Sequence, residues 1–364
     1  MEKLKYALIG CGRISPTHFA AAMRNIGALD IVAVSDIVPD HMEGLLSKFE
    51  GTGGIRRYTD YKEMLEKEKP QLVAVATDSG SHARVALDCI HAGCNVIVEK
   101  PISLSLADAD RIIQAAEEKG VKLCANHQNR FNKAIVKLRE ALDEGRFGRL
   151  FHAQASVRWS RGPEYYKQDA WRGTWAGDGG TLMNQCIHNI DLLRWMMGNE
   201  IKEVFAYTDR LDHPYIEAED LGLALVRFAN GSYGIVEGTS NVFQEDFEET
   251  FTVFGEKGLV KVGGLAVNQI EDWKFCDGKD KPETLKKDFS DMPNTVYGFG
   301  HAALYSDMID AVQNDRKPYV DGEDGRRALE LVLAIYKSAA EGRPVKLPLG
   351  DCSTLDFAGR FDRR

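Results

Sequence analysis

The first 125 residues alternate short, mainly apolar segments with segments of helical periodicity, and this alternation constrains the fold more than any other feature of the chain. The apolar segments have strand length and lie at 4–10, 31–35, 72–76, 95–98 and 121–125. They do not alternate polar with apolar residues, so both faces of the predicted strands are expected to be buried. This is typical of a parallel sheet covered by helices on both sides. It predicts an α/β, doubly wound Rossmann-type domain over residues 1–124.

The first predicted strand runs directly into a glycine-rich turn, Gly10-Cys11-Gly12, which is followed by a predicted helix. Asp36 ends the next strand, which completes the dinucleotide-binding pattern. Gly10 permits the tight turn, Gly12 lets the backbone approach a pyrophosphate, and the helix N-terminus supplies N–H groups to the anion. Asp36 would bind the ribose 2′-hydroxyl and repel a 2′-phosphate, so we expect NAD rather than NADP. An α/β domain without a nucleotide is the alternative.

The pattern changes after Asn126. Two pairs of apolar segments flank short turns at Asn230-Gly231 and at 255–258, and both pairs predict hairpins. Consecutive hairpins indicate a mostly antiparallel sheet, so residues 125–364 are predicted to form an α+β domain with an open-faced sheet that binds the substrate. Because the open face has to be covered, we expect a homodimer or homotetramer through it.

Composition and charge limit the partners. The 364 residues carry a net charge of −9, so no basic surface is expected to hold nucleic acid or an anionic membrane. No apolar segment approaches the ~18–20 residues that a membrane span needs, and the start of the chain does not have the pattern of an export signal. We therefore expect a cytoplasmic protein. The seven scattered cysteines form no C-x-x-C pair, so we expect neither disulfides nor a metal site.

Two short segments contain the residues best suited to catalysis. Glu99-Lys100-Pro101 follows the fourth strand, at the edge of the sheet where ligands bind in α/β proteins, although a solvated lysine at a strand end gives the same pattern. Asn184, His188 and Asp191 share one face of a predicted helix that follows Gly179-Gly180. Histidine is the usual general base near neutral pH, and a buried structural histidine is the alternative.

Residues 158–175 combine aromatic side chains with arginines to a degree that is unusual in an acidic protein. Aromatic faces suit sugar rings, and guanidinium groups suit carboxylates or phosphates. An aromatic core segment with arginines at its margin is the alternative. The segment therefore indicates a site for an anionic sugar.

In combination, these motifs resemble the Gfo/Idh/MocA oxidoreductases over essentially the whole chain. The resemblance rests on the turn at 10–14, on Thr77 and His82, on the segment 99–101, and on Gly179-Gly180 followed by His188 and Asp191. It implies a Rossmann domain, a second domain with an open sheet, bound NAD(P), and hydride exchange at a secondary alcohol of a sugar or polyol. Lys100 and His188 match the family's catalytic lysine and histidine.

Motifs and resemblance together give three sets of candidate residues. The residues predicted to act in catalysis are Lys100, His188 and Asn184. The residues predicted to bind the cofactor are Gly10, Gly12, Arg13, Ile14, Asp36, Thr77, His82, Glu99, Lys100 and Gln128. The residues predicted to bind the substrate are Arg161, Tyr166, Trp171, Arg172, Asn184 and Asp191.

One position departs from the family pattern. Many members have an aspartate four residues before the histidine, whereas this chain has Asn184. With the aromatic segment, this is similar to the subgroup that oxidises the 3-hydroxyl of UDP-N-acetylglucosaminuronate. An amide can hold a hydroxyl but cannot accept its proton, which leaves that role to His188, with Lys100. The alternatives are an NAD-using glycosidase acting through a 3-keto intermediate, an inositol- or glucose-type dehydrogenase, and a non-catalytic NAD-binding regulator.

Overall fold

A computed structural model of the chain describes residues 3–292 and 297–362, which form two compact units. The first unit comprises Met1–Asn126 and His301–Arg326, and the second comprises His127–Gly300 and Arg327–Arg364. The sequence predicted one boundary at 124/125, and the later segment of the first unit was not expected. That segment is joined to the first by contacts between distant residues, such as the antiparallel bridge between Cys124 and Asp321.

The first unit contains a six-stranded parallel sheet. Its strands are β1 (Leu4–Ile9), β2 (Leu29–Ser35), β3 (Arg56–Tyr58), β4 (Leu72–Val75), β5 (Asn95–Val98) and β6 (Leu123–Ala125). Their order in the sheet is β3-β2-β1-β4-β5-β6, which is the dinucleotide-binding order. The predicted Rossmann-type fold is therefore confirmed. The sequence did not predict β3, because the strand has three residues and two of them are arginines, which do not form an apolar segment.

Helices connect these strands and cover the sheet. They are α1 (Ser15–Arg24), α2 (Pro39–Leu46), α3 (Tyr61–Glu68), α4 (His82–His91) and α5 (Leu106–Lys119). The residues of β4 are all buried, as expected of a strand covered on both faces. Helix α5 begins at the Ser105 cap and ends at Gly120, whose φ of 66° suits the left-handed position that follows a helix.

The later part of the chain combines an eight-stranded sheet with seven helices in the described residues. The strands are β7 (Leu150–Arg158), β8 (Ile201–Asp209), β9 (Leu221–Phe228), β10 (Tyr233–Thr239), β11 (Glu248–Gly255), β12 (Gly258–Gly263), β13 (Gln269–Phe275) and β14 (Val345–Lys346). The helices are α6 (Lys133–Asp143), α7 (Pro163–Tyr166), α8 (Thr181–Asn184), α9 (Ile187–Met197), α10 (Pro282–Phe289), α11 (Gly300–Gln313) and α12 (Gly322–Glu341).

The eight strands are mostly antiparallel, as predicted. Their order is β13-β12-β11-β7-β10-β9-β8-β14, and only β7 and β10 pair in parallel. Both predicted hairpins are present, one between β9 and β10 around Asn230-Gly231 and one between β11 and β12. At the first hairpin, Gly231 has a φ of 88°, which favours glycine.

The two faces of this sheet differ. One face packs closely against helix α8 and the residues that follow it: a Cβ built on Gly222 would lie 2.4 Å from Leu182, and one on Gly238 would lie 2.5 Å from the Cys186 sulfur. On β9 the alternate residues Leu223 and Leu225 are 44% and 58% exposed. Tyr207 and Tyr233 on the neighbouring strands are exposed as well. The sheet therefore has one buried face and one open face with apolar side chains, as the sequence predicted.

Among the helices of residues 3–292 and 297–362, we find none with the length and apolar character needed to cross a bilayer.

Candidate functional site

The turn after β1 lies so close to β4 that it requires glycine. Gly10 has a φ of 93°, and a Cβ built on it would lie 2.3 Å from the carbonyl oxygen of Ala76. Gly12 has no atom within 4 Å of its built Cβ, so open space faces the backbone there. The two glycines thus serve the two purposes that the sequence predicted, a tight turn and an approachable backbone.

Asp36 extends from the end of β2 to the same turn. Its Oδ2 accepts a hydrogen bond from the Cys11 backbone N–H at 2.7 Å, and its Oδ1 accepts one from Val38 N–H at 2.8 Å. Each carboxylate oxygen can accept more than one hydrogen bond, so these contacts hold the side chain in place and leave it able to bind a ribose hydroxyl. The turn, the open backbone at Gly12 and Asp36 together fit a dinucleotide.

Thr77 and His82, predicted to bind the cofactor, lie at the end of β4 and the start of α4. The His82 ring is 1% exposed, and its Nδ1 lies 2.8 Å from the Pro101 carbonyl oxygen. Its Nε2 lies 3.2 Å from the Thr77 carbonyl oxygen, and burial lowers the pKa of this imidazole. His82 therefore connects the loops that follow β4 and β5, while its cofactor role stays a prediction. Arg13 is exposed and Ile14 half-buried.

The segment Glu99-Lys100 directly follows β5. Glu99 is 5% exposed, and its Oε2 accepts a hydrogen bond from the Lys100 backbone N–H at 3.0 Å. Lys100 itself is half-buried. His18 and Asn126 hydrogen-bond the other oxygen of Glu99. The carboxylate that precedes the predicted catalytic lysine is thus held by protein groups on both oxygens.

In the second unit, Asn184 ends α8 and its amide is oriented by two neighbours. The Asn184 Nδ2 donates a short hydrogen bond to Asp178, and the Asn184 Oδ1 accepts one from Gln185 Nε2 at 2.7 Å. Asp178 is 2% exposed and also accepts from the Gly173 backbone N–H at 2.8 Å. A buried carboxylate therefore lies beside the predicted catalytic amide.

Tyr165 lies among the residues predicted to bind the substrate. Its hydroxyl accepts hydrogen bonds from Arg172 Nη1 and from Gln185 Nε2, each at 2.9 Å. The Arg172 guanidinium stacks over the rings of Tyr165 and Trp171, at 4.6 and 4.5 Å from their centroids. Its Nε donates to Asp169 at 3.0 Å. Of the predicted substrate residues, the structure brings Trp171, Arg172 and Asn184 together around Tyr165 and Gln185.

Arg161 approaches the same tyrosine, with its guanidinium 5.5 Å from the Tyr165 ring centroid and 4.8 Å from that of Trp159. Its Nη1 donates to Asp246 and to the Ser160 carbonyl, each at 2.7 Å. Its buried Nε has no hydrogen-bond partner among the described residues. Tyr166 donates a hydrogen bond to Ser240 at 3.4 Å. Arg161 is thus held by Asp246 and by two aromatic rings, and its predicted contact with substrate stays a prediction.

His188 and Asp191 lie on α9 in different surroundings. His188 is 9% exposed and meets the His127 ring edge-on, with centroids 5.6 Å apart. Asp191 is fully buried and accepts two hydrogen bonds from Arg130, both at 2.7 Å, and one from Arg194 at 3.0 Å. These arginines, with His127, hold the pKa of Asp191 well below its usual range despite burial. The geometry gives Asp191 partners within the protein, and its predicted contact with substrate stays a prediction.

Three residues of this region were missed from the sequence. Asp178, Tyr165 and Gln185 each contact a predicted residue. Asp178 directly precedes Gly179-Gly180, and an acidic residue beside this turn was the sequence signal that could have identified it.

Gln128, predicted to bind the cofactor, is 3% exposed at the start of the second unit.

A buried acid accounts for the second glycine of that pair. A Cβ built on Gly180 would lie 1.6 Å from Glu219 Oε2, so only glycine fits. Glu219 Oε1 accepts from the Leu182 backbone N–H at 2.8 Å and from the Tyr336 hydroxyl at 3.0 Å. Burial outweighs these hydrogen bonds and raises the pKa of Glu219 to about 8. The start of α8, which carries Asn184, therefore packs on a carboxyl group that is protonated at neutral pH.

The strand order and the glycine turn define a dinucleotide-binding protein with a second, sheet-based unit. The sequence profile described as the oxidoreductase family, NAD-binding Rossmann fold, matches residues 4–127. The profile of the same family's C-terminal alpha/beta domain matches residues 139–347. Because these matches cover most of the chain, the chain belongs to the Gfo/Idh/MocA family of oxidoreductases.

Individual relatives agree with this assignment. The chain is similar to the WlbA dehydrogenase of Bordetella pertussis, solved with NADH and UDP-GlcNAcA, at 34% identity and a TM-score of 0.87 over 96% of this chain and 99% of that one. The WlbA dehydrogenase of Chromobacterium violaceum, solved with the same two ligands, is 36% identical with a TM-score of 0.87, over 96% and 97% of the chains. Myo-inositol 2-dehydrogenase of Thermotoga maritima is 29% identical over 94% of this chain and 98% of the relative.

The predicted family and cofactor are therefore confirmed, and the chain is an NAD-dependent oxidoreductase. The roles predicted for individual residues stay predictions.

Glu219 gives a prediction about stability. The carboxyl has an ordinary pKa of 4.5 when unfolded and one of about 8 when folded. Between these values the unfolded chain releases the proton and the folded chain retains it, so the free energy of unfolding falls as pH rises. In the variant Glu219→Gln, the side chain at position 219 does not titrate. We expect the melting temperature of the wild type to fall by several degrees relative to Glu219→Gln between about pH 5 and pH 8. Thermal denaturation across this range measures it, and parallel curves for the two proteins would contradict it.

Proposed function

We propose that this NAD-dependent oxidoreductase of sugars or polyols oxidises the C3 hydroxyl of a nucleotide-linked, anionic pyranose, in the manner of a UDP-N-acetylglucosaminuronate 3-dehydrogenase. The observation that carries the proposal is the cluster around Tyr165, where the guanidinium groups of Arg161 and Arg172 approach the ring. Gln185 connects the hydroxyl of Tyr165 to the amide of Asn184. Two relatives of 34% and 36% identity, solved with NADH and UDP-GlcNAcA, support the same substrate class.

The proposed chemistry assigns one step to each catalytic residue. NAD, which the turn of Gly10 and Gly12 and the carboxylate of Asp36 would hold, would supply the acceptor for the hydride of the C3 carbon. His188 accepts the hydroxyl proton on an imidazole nitrogen, so that the alcohol becomes a ketone. Lys100 donates a hydrogen bond to the same hydroxyl oxygen as negative charge develops on it. Asn184 accepts a hydrogen bond from a substrate hydroxyl through its Oδ1, since its Nδ2 is engaged with Asp178.

The two arginines differ in how they would hold an anion. Arg172 is paired with Asp169, whose side chain is 40% exposed, so part of its charge is already balanced. Arg161 is paired with Asp246 through Nη1 only, and its Nε is left with a buried donor. Because that Nε is fully buried, the substrate anion would approach the guanidinium of Arg161 at its outer nitrogens. We therefore assign the contact with the substrate anion to Arg161 and Arg172 together.

A substrate screen tests the proposal. UDP-N-acetylglucosaminuronate, UDP-N-acetylglucosamine, glucose and myo-inositol are incubated with NAD and with NADP, and the absorbance of the reduced cofactor is followed with and without a keto acid as hydride acceptor. We expect kcat/KM to be at least about tenfold higher for the uronate than for the neutral UDP-sugar, because a charge-assisted contact is lost in the latter. Oxidation of myo-inositol without oxidation of either UDP-sugar would contradict the substrate class.

The same screen separates the alternative activities. A glycosidase that passes through a 3-keto intermediate would release a sugar without accumulating NADH, which product analysis detects. A non-catalytic regulator would bind NAD and turn over none of these compounds. Either result would contradict the proposed dehydrogenase.

Lys100→Met tests the catalytic assignment. Removing the ammonium group removes a donor to the developing oxyanion, so we expect kcat to fall by about 10²-fold or more. NAD binding, followed by quenching of protein fluorescence, should change by less than about threefold, or 0.7 kcal/mol. Lys119→Met, at an exposed position in the same unit, serves as the control. Unchanged turnover in Lys100→Met would show that the lysine has no catalytic part.

We also propose that the open face of the eight-stranded sheet binds a second copy of the chain. Apolar side chains on three neighbouring strands lie in register: the exposed Leu225 is paired with the half-buried Phe205 on one side and the half-buried Ile235 on the other. A contiguous apolar surface of this kind is typical of an interaction site. A self-complementary patch would produce a dimer, or a tetramer if a further contact exists.

Leu225→Glu tests this association. Leu225 is 58% exposed, so a charge there leaves the fold intact but would be buried without a partner in an interface. We expect size-exclusion chromatography with light scattering to show an oligomer for the wild type and a monomer for the variant. Lys119→Glu, at the exposed position used above, should stay oligomeric. A monomeric wild type would contradict the proposal.

A further inference from the structure

The first unit contains a buried polar network behind Lys100 that the proposed chemistry does not use. The Tyr6 and Tyr305 hydroxyls are 2.9 Å apart, and the Tyr305 hydroxyl lies 2.8 Å from His18 Nδ1. The opposite nitrogen of His18 lies 2.7 Å from Glu99 Oε1. His18 and both tyrosines are fully buried. A connected polar chain in a protein core is costly unless its members are paired, and here the chain ends at the residue before Lys100.

Three groups donate hydrogen bonds to Glu99. His18 Nε2 and Asn126 Nδ2 donate to Oε1, and the Lys100 backbone N–H donates to Oε2 at 3.0 Å. Although burial opposes the charge, the hydrogen bond from His18 and the nearby charge of Lys100 keep the pKa of Glu99 well below its usual range. An ionised carboxylate only accepts, so the proton between His18 and Glu99 is on the imidazole.

The same residues could be considered as a metal site, because the ligand atoms of His18, Glu99 and His301 lie within 4.8 Å of one another. The hydrogen bonds argue against this. The N–H of His18 and the amide N–H of Asn126 both point to Glu99 Oε1, the atom that a cation would need, and the Asn126 amide lies 3.2 Å from His301 Nε2. The cluster is therefore a hydrogen-bond network around a carboxylate.

We propose that Glu99 is a positioning residue, held by His18 and Asn126, that fixes the backbone from which the Lys100 side chain extends. The proposal rests on the catalytic role proposed for Lys100. The sequence instead predicted that Glu99 contacts the cofactor. The positioning role fits the structure better, because protein groups engage both carboxylate oxygens and Glu99 is 5% exposed. His18 acts on Lys100 only through its hydrogen bond to Glu99. Tyr6 and Tyr305 do not contact Glu99 and are not part of the proposal.

Two substitutions of His18 separate positioning from stability. The amide nitrogen of His18→Gln can take the place of Nε2 and donate to Glu99, but it leaves Tyr305 without its partner. The amide of His18→Asn can take the place of Nδ1 and pair with Tyr305, but it does not reach Glu99. Each variant loses one buried hydrogen bond, so both should melt at lower temperature, and His18→Asn by the larger amount because its lost bond is to an ionised carboxylate.

Their kinetics should differ. We expect His18→Gln to retain kcat within about threefold and His18→Asn to lose about tenfold or more, since a misplaced catalytic group is costly to the rate. KM for NAD and for the sugar should stay within about twofold in both. Losses of kcat that follow the loss of melting temperature in both variants, with no further loss in His18→Asn, would show a purely structural role. Retention of kcat by both variants would also overturn the proposal.

Tyr305→Phe and Glu99→Gln complete the test and avoid dependence on the folding of the His18 variants. Tyr305→Phe removes the outer hydrogen bond only, so stability should fall while kcat is retained. Glu99→Gln keeps the shape but removes the charge and one acceptor, so kcat should fall while NAD binding, followed by fluorescence quenching, is retained. Weaker NAD binding in proportion to the loss of kcat would show that Glu99 acts through the cofactor. Normal turnover by Lys100→Met would contradict the proposed function itself, whereas an inactive Lys100→Met with an active Glu99→Gln would overturn the positioning inference alone.

Discussion

The contact between the turn after β1 and the end of β4 is the constraint on which the first unit depends. The backbone of Gly10 passes so close to the Ala76 carbonyl that no side chain fits. This contact places the ends of two central strands beside each other, and Asp36 joins them from β2 through the Cys11 N–H. Because the strands are parallel, the segments that follow β4 and β5 leave from the same edge of the sheet. The glycine turn and Asp36, which the sequence predicted to bind the cofactor, and the loop of Lys100 therefore follow from one packing arrangement.

The second unit also contains a glycine that packs too closely on a neighbouring group to carry a side chain, but here the neighbour is a carboxyl group. Gly180 packs directly on Glu219, whose carboxyl is protonated at neutral pH because of its burial. A neutral acid can lie against the backbone without a countercharge, whereas an ionised one would need a cation there. The start of α8 is thereby brought onto the sheet, and Asn184 at its end meets Asp178. The orientation of the Asn184 side chain thus depends on the uncharged carboxyl group of Glu219, which is distant in the sequence.

Local patterns predicted the parts of this structure that depend on neighbouring residues. Five of the six strands of the Rossmann-type sheet, the turn at 10–12 and the two hairpins each have a signal within about ten residues of sequence. Features that join distant residues had no such signal. Examples are the hydrogen bond between Tyr6 and Tyr305, the packing of Gly180 on Glu219 and the association of 301–326 with the first unit. Tyr165 was missed for a further reason. Tyr165 and Tyr166 are adjacent and chemically identical, so only the fold decides which of the two contacts Arg172.

The amide at position 184, where the family resemblance leads one to expect an aspartate, has a physical reason in this chain. Asp178 is buried and in hydrogen-bond contact with Asn184 Nδ2. A carboxylate at 184 would place two acids against each other, and one of them would have to take up a proton with a raised pKa. The amide avoids this, because it donates to Asp178 and keeps its Oδ1 as an acceptor. The acidic side chain therefore lies at 178, in hydrogen-bond contact with Asn184, and the proposed mechanism assigns the proton of the hydroxyl to His188. The departure from the family pattern and the missed acid are two parts of the same arrangement.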